Sequence, residues 1–433
     1  MWYNGQNPIK ESAMSAFKRV KYACYATNVS MSVVANLSPV LFLTFHELYG
    51  ISYTLLGLLV LINFFTQLIV DLIFSFFSHK FNISAAVKIT PVLTTLGLVV
   101  YALWPFFFPA SVYAGLVLGT VIFSLSSGFC EVLISPVIAA IPAKDPDREM
   151  SKLHSIYAWG VVGVILVATL FLLLFGKESW QWLALLCTLI PVTAAALFFG
   201  AKLPHLDTPE RVSGALALFK NKQVLLCVAA IFCGGAAECT MGQWCSGYLE
   251  AAMGIPKIWG DIFGVALFSV MLGLGRSLYA KRGKNPERVL LAGGIGAAAC
   301  YLIAALSGIP LIGLLACAFT GFCVSMLWPG SLIVASSRVT TGGVFIYAMM
   351  AAGGDMGAAV GPQLVGIITD AAAANTACAS LAASLGLAPE QLGMKLGMLV
   401  GMLFPLVGII VYARLLKTKQ RFSPSTQVDN VND

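Results

Sequence analysis

Polar residues in this chain are gathered into short stretches between long apolar runs. The runs fall at residues 20–46, 52–78, 86–107, 110–142, 153–175, 180–201, 223–250, 259–280, 288–307, 310–336, 343–370 and 394–416. Each reaches the roughly 20 residues that an α-helix needs to cross a bilayer core. Lipid offers the backbone no hydrogen-bond partner, so only helices or a closed barrel can span it. The runs are far too long for barrel strands. The pattern therefore predicts an all-α polytopic membrane protein with twelve transmembrane helices.

Composition agrees and excludes other classes. Of 433 residues, 59 % are hydrophobic and 10 % charged, against about 25 % charged in an average soluble domain. A soluble enzyme, a nucleic-acid binder and a disordered chain are all excluded by that apolar load. No motif for an enzyme, a nucleotide or another cofactor is present. Ten of the 11 cysteines lie in apolar runs, no CxxC occurs and the four histidines are scattered, so neither a disulfide framework nor a metal site is expected. The polar segment before the first run does not read as a cleavable signal.

The net charge of +7 has a location. All but three of the 26 lysines and arginines fall on one side of the alternating runs; Lys177, Lys257 and Lys395 are the exceptions. That bias predicts a cytoplasmic-membrane protein with both termini in the cytoplasm and an even number of spans. It assigns Arg276 to the connection after span eight and leaves no basic residue near the bilayer centre.

The chain also repeats. Gly128-Phe129-Cys130 followed by Pro136 in span four recurs as Gly321-Phe322-Cys323 followed by Pro329 in span ten. Ile156-Tyr157-Ala158 in span five recurs as Ile346-Tyr347-Ala348 in span eleven. Two pseudo-symmetric six-helix halves follow, a transporter architecture: residues 1–201, a cytoplasmic linker at 202–222, residues 223–418, and a polar tail at 419–433. Thr208-Pro209-Glu210 reads as a helix start within the linker, and 371–393 as a longer outer loop.

Polar side chains inside spans are costly and face an interior or a cavity. They form stripes at helical spacing: Asn28, Ser32 and Asn36 in span one, Asn63, Gln67 and Asp71 in span two, His154 and Tyr157 in span five. Glu238, Gln243 and Trp244 mark span seven, Trp328 span ten and Asp355 span eleven. Four acids, Asp71, Glu131, Glu238 and Asp355, have no basic residue at their depth. An unpaired carboxyl in apolar surroundings tends to hold a proton, and Glu131 is the best coupling candidate. Asp71, nearer the cytoplasmic end, reads as a gate or structural contact. Carboxylates, amides, Tyr and Trp without a cation suit a neutral or cationic polar solute. Sugars fit, with ring faces resting on Trp244 or Trp328.

These residues resemble a known group. The two-by-six layout resembles the major facilitator superfamily. Gly128-Phe129-Cys130-Glu131-Val132-Leu133-Ile134-Ser135-Pro136 is similar to the span-four motif Gly-x-x-Glu-x-x-x-Asn-Pro of the fucose permease family. Ala237-Glu238-Cys239-Thr240-Met241-Gly242 resembles its span-seven pattern, and Gly361-Pro362 with Gly366 and Asp370 its span-eleven ending. The resemblance implies a proton-coupling role for Glu131. Asn36-Leu37-Ser38-Pro39 stands where that family carries a span-one acid.

The expectation is a monomeric secondary transporter moving a small polar solute, a sugar or polyol, by alternating access. The coupling ion is a proton, with sodium as the alternative. Solute contacts are assigned to Asn28, Asn36, Gln67, His154, Tyr157, Glu238, Gln243, Trp244, Trp328 and Asp355. A drug or cation exporter of the same fold, and a non-transporting membrane sensor, are the other readings.

Overall fold

A computed structural model describes residues 17–77, 80–143, 146–204, 221–338 and 343–421. The helix start expected at Thr208 and the tail beyond 421 lie outside them, as do the side chains of His154 and Tyr347. Among the described residues there is no strand. Eleven helices are long and apolar enough to cross a membrane, and a twelfth span is a pair, Lys18–Val40 and Phe42–Tyr49, bent by 45°. With twelve spans, the start of the first helix at Lys18 and the end of the last at Arg421 lie on one face, called below the terminal face.

Where apolar runs read as continuous, several helices are broken, and prolines explain two breaks. Pro39 sits in the last turn before the bend in span one. Proline donates no N–H and clashes with the preceding turn, which kinks a helix. Span ten is likewise divided into Pro310–Val324 and Leu327–Arg338, with Pro329 at the start of its second piece. The outer loop expected after span eleven is largely helical. Span eleven runs on to Ala374, and Thr376–Ser384 forms a helix whose N-cap, Asn375, accepts from the backbone of Ala377 and Cys378.

The repeated motifs occupy matching places in the two halves. A Cβ on Gly128 would lie 2.6 Å from Val70 of span two. One on Gly321 would lie 2.2 Å from the Phe268 carbonyl of span eight. Each motif glycine thus lets span four or ten close on its neighbour two spans back. On the terminal face, Glu149 of span five joins span one: it accepts from Tyr25 at 2.8 Å, pairs with Lys21 and meets Lys152 at 3.0 Å. Arg338 closes the second half in the same region, on Glu287 at 3.1 Å and on the Leu415 carbonyl at 2.6 Å.

The halves meet along spans two and eleven, one and seven, and five and eight. Span seven also packs on span eleven so closely that a Cβ on Gly357 would sit 2.1 Å from the Phe232 carbonyl. Overpacking costs about 1–3 kcal/mol, so Gly357→Val lowers the melting temperature of the detergent-solubilised protein. Gly163→Ala, with nothing within 4 Å of the new Cβ, leaves it unchanged. Burial opposes ionisation of Glu149, but Lys21, Lys152 and Tyr25 hold its carboxyl down at about 2. A depressed carboxyl stabilises above its ordinary value of 4.5 and loses that contribution as pH falls toward 2. Glu149→Gln therefore flattens the acid limb of a melting-temperature profile.

Candidate functional site

Prolines that break the spans leave carbonyls without their helical donors, and polar side chains expected to meet solute fill some of these vacancies. In span one, Pro39 cannot donate to the Ala35 carbonyl. Gln243 of span seven does so at 3.4 Å, crossing between halves. In span ten, Pro329 cannot donate to the Ser325 carbonyl, and Arg276 Nε takes that place at 3.1 Å.

Arg276 overturns one expectation. It lies within the helix Leu267–Arg282, not in a connection, and its guanidinium meets Glu238 at 3.1 and 3.4 Å. Glu238 is thus ion-paired, and the interior contains a cation. The signal was present in the sequence: Arg276 falls inside the apolar run 259–280, and the proline one turn beyond Ser325 creates its acceptor. Tyr157 stands within electrostatic reach of Glu131, Glu238 and Arg276. These four residues come from spans four, five, seven and eight, and each keeps some exposure.

Other candidates are placed elsewhere. Asn28 donates to the Leu153 carbonyl at 2.7 Å, and its oxygen faces Cys130; it staples span one to span five. Asn36 bonds back to the Ser32 carbonyl at 2.9 Å, and Gln67 back to Asn63 at 3.4 Å. Trp244 is fully buried, donates to the Pro362 carbonyl at 2.8 Å and packs on Phe42. Trp328 is half-buried, its ring laid over Gly235 and Gly354, where a Cβ would come within 2.9 and 2.4 Å of it.

Beyond Glu238, toward the face opposite the termini, several bonds join the halves. Asp370 at the end of span eleven accepts from the backbone N–H groups of Tyr53 and Thr54 at 3.1 and 2.6 Å. It caps the start of span two from the other half, as an N-cap side chain would. Gln363 donates to the Thr54 carbonyl at 3.3 Å. Thr169 of span five donates to Asp261 of span eight at 2.7 Å, and Lys257 reaches the Val40 carbonyl at 2.8 Å. A cleft of about 210 Å³, lined in part by Glu47, Lys177, Glu250 and Lys257, lies at this outer seam.

Nearer the terminal face, three acids from three spans converge. One carboxylate oxygen each from Asp71, Glu131 and Asp355 lie within 4.8 Å of one another. Three separate sequence candidates are therefore one cluster, to which the first half contributes two acids and the second half one.

A family model of the Major Facilitator Superfamily matches residues 23–362. The chain belongs to that superfamily. Its fold is similar to solved transporter structures. The nucleoside transporter NupG superposes with a TM-score of 0.67 at 13 % identity, covering 92 % of this chain and 98 % of that one. A bacterial homolog of the human lysosomal transporter Spinster, inward-facing and occupied, gives 0.66 at 12 % identity over 94 % and 99 %. The E. coli fucose:proton symporter FucP gives 0.57 at 16 % over 91 % and 99 %. At these identities the likeness is one of fold. No curated protein sequence matches the chain.

The Glu238–Arg276 pair carries its own prediction. Removing the guanidinium leaves the Glu238 carboxylate, the more buried member of the pair, uncompensated. Arg276→Ala lowers the melting temperature, and Glu238→Gln in the same background recovers part of the loss. Additive losses would show that the pair is not coupled.

Proposed function

We propose that this superfamily member is a proton-coupled secondary transporter of a small neutral solute rich in hydroxyl groups, a sugar or polyol. The observation that carries the solute class is the Glu238–Arg276 pair beside Tyr157 and Glu131. Together they offer hydroxyl groups charged donors and acceptors at one place. The pair is neutral overall, so a neutral polyhydroxylated molecule is matched without burying an unpaired charge. A lipophilic cation finds Glu238 already neutralised. In this proposal Tyr157 and Trp328 flank the solute, while Asn28, Gln243 and Trp244 hold the scaffold.

Alternating access supplies the transport step. The face opposite the termini is closed by bonds between halves, including the Asp370 cap, while Glu131, Tyr157, Glu238 and Arg276 keep exposure on the terminal side of that seal. We place the terminal face in the cytoplasm, following the lysine and arginine bias. Rocking of the halves would break the outer bonds and bring the terminal ends together. Glu131 would carry the coupling proton, whose inward passage releases about 2.3 kcal/mol per 100 mV of membrane potential.

The test begins with a thermal-shift screen of the purified protein against sugars, polyols, nucleosides and lipophilic cations, because a ligand that binds the native state raises its melting temperature. The compound with the largest shift is then followed in proteoliposomes. Glu131→Gln abolishes accumulation against a gradient and leaves exchange intact. Accumulation at the wild-type level in that variant would remove Glu131 from the coupling. A shift given only by the lipophilic cations would replace the solute class.

A further inference from the structure

The convergence of three acids raises a question of acceptors and donors. Asp71 and Asp355 are 3 % and 2 % exposed. Both oxygens of Asp71 and Oδ2 of Asp355 are buried with no donor from the rest of the protein. Yet one carboxylate oxygen of each lies within 4.8 Å of the other. An ionised carboxylate only accepts, so two of them bond only when one holds a proton. Two carboxylates sharing a site cannot both ionise without strong repulsion.

Among the described residues, the cation on the Glu131 side of this place, Arg276 of span eight, is paired with Glu238. Span four contributes Glu131. Span seven contributes Cys239, which lies within electrostatic reach of Asp355. Span one contributes Cys24, set toward Cys130. Lys395 of span twelve is held by the Ala305 and Ser307 carbonyls, and Arg338 of span ten by Glu287. Among the described residues, no ion pair is formed with Asp71, Glu131 or Asp355.

We propose that Asp71, Glu131 and Asp355 form one proton-binding site shared by the two halves, in which a proton held between Asp71 and Asp355 clasps span two to span eleven. This rests on the proton coupling proposed above and adds two residues to it. Glu131 is the entry, because it alone of the three keeps exposure. A proton arriving from water neutralises the Glu131 carboxylate, then passes to the Asp71–Asp355 pair and leaves Glu131 ionised again. With the proton in place, one carboxyl donates to the other across the seam between halves. When it leaves, like charges face each other across that seam and drive the halves apart. Gate and coupling site are therefore the same group of atoms.

The test uses the full-length protein in proteoliposomes, treated with dicyclohexylcarbodiimide from about pH 5 to about pH 9 and mapped by mass spectrometry. The reagent forms a stable adduct with protonated carboxyls in apolar surroundings. Asp71 and Asp355 are expected to be labelled. In Asp355→Asn the like charge is gone, so Asp71 gives up its proton more easily. Its labelling midpoint moves down by about one pH unit or more, and Asp71→Asn does the same to Asp355. As a second measurement, the losses in melting temperature of the two single variants are less than additive in the double variant. Absence of label at both residues, or unmoved midpoints with additive losses, overturns the clasp and leaves the Glu131 uptake test untouched. Conversely, wild-type accumulation by Glu131→Gln defeats the coupling reading without moving the reciprocal midpoints. Protection from labelling by sodium, magnesium, calcium or manganese chloride, relative to choline chloride at fixed pH, assigns the site to a metal ion and overturns the proton as its cargo.

Discussion

Hydrocarbon supplies no hydrogen bonds, and the structure is organised by that shortage. Every donor or acceptor inside a span must be met by the protein itself. Helical backbones meet most of the demand locally. Prolines reopen it at chosen points, and long-range side chains answer. Gln243 answers Pro39 across the halves, and Arg276 answers Pro329 between spans eight and ten. The first of these stitches crosses the seam between halves, and the second ties the second half together. Such stitches are few and individually modest, about 0.5–1.5 kcal/mol net for a neutral hydrogen bond.

The same constraint separates scaffold from function. Asn28, Trp244 and Asp370 have spent their hydrogen bonds on backbone. They hold elements together and have little left for a ligand. Asp71 and Asp355 have not: their buried oxygens lack donors. In an interior where satisfied groups are the rule, these unmatched oxygens stand out. Glu238 stands between these cases, paired with Arg276 but still partly exposed.

Closure is uneven across the membrane. Bonds between halves crowd the outer face, where a cap, an amide and a lysine all cross the seam. On the terminal face the ion pairs among the described residues stay within one half, Glu149 in the first and Arg338 in the second. Each half thus ties its own terminal end, and the carboxyl cluster brings acids of both halves together on that side. Rocking about the middle would exchange one set of contacts for the other without disturbing either half.

The sequence by itself determined the class of the protein. Apolar run lengths decide that the chain spans a bilayer, because crossing length is a property of the helix and the lipid, not of the neighbours. The spacing of Gly128 and Gly321 revealed the two halves for a similar local reason: each glycine answers one close approach within its own half. Glu131 was legible as an isolated acid, and Asp71 and Asp355 as two more. Their meeting was not, since they lie on three helices from two halves and no spacing along one chain encodes a distance between helices. Arg276 was misplaced because charge counting treats the end of a span as a loop, whereas the helix continues and turns the side chain inward. Gln243 and Trp244 read as solute contacts because polarity shows that a partner is needed but not which one. Only the tertiary structure decided that, by setting a proline-freed carbonyl opposite one and the Pro362 carbonyl opposite the other, and leaving the acids with each other.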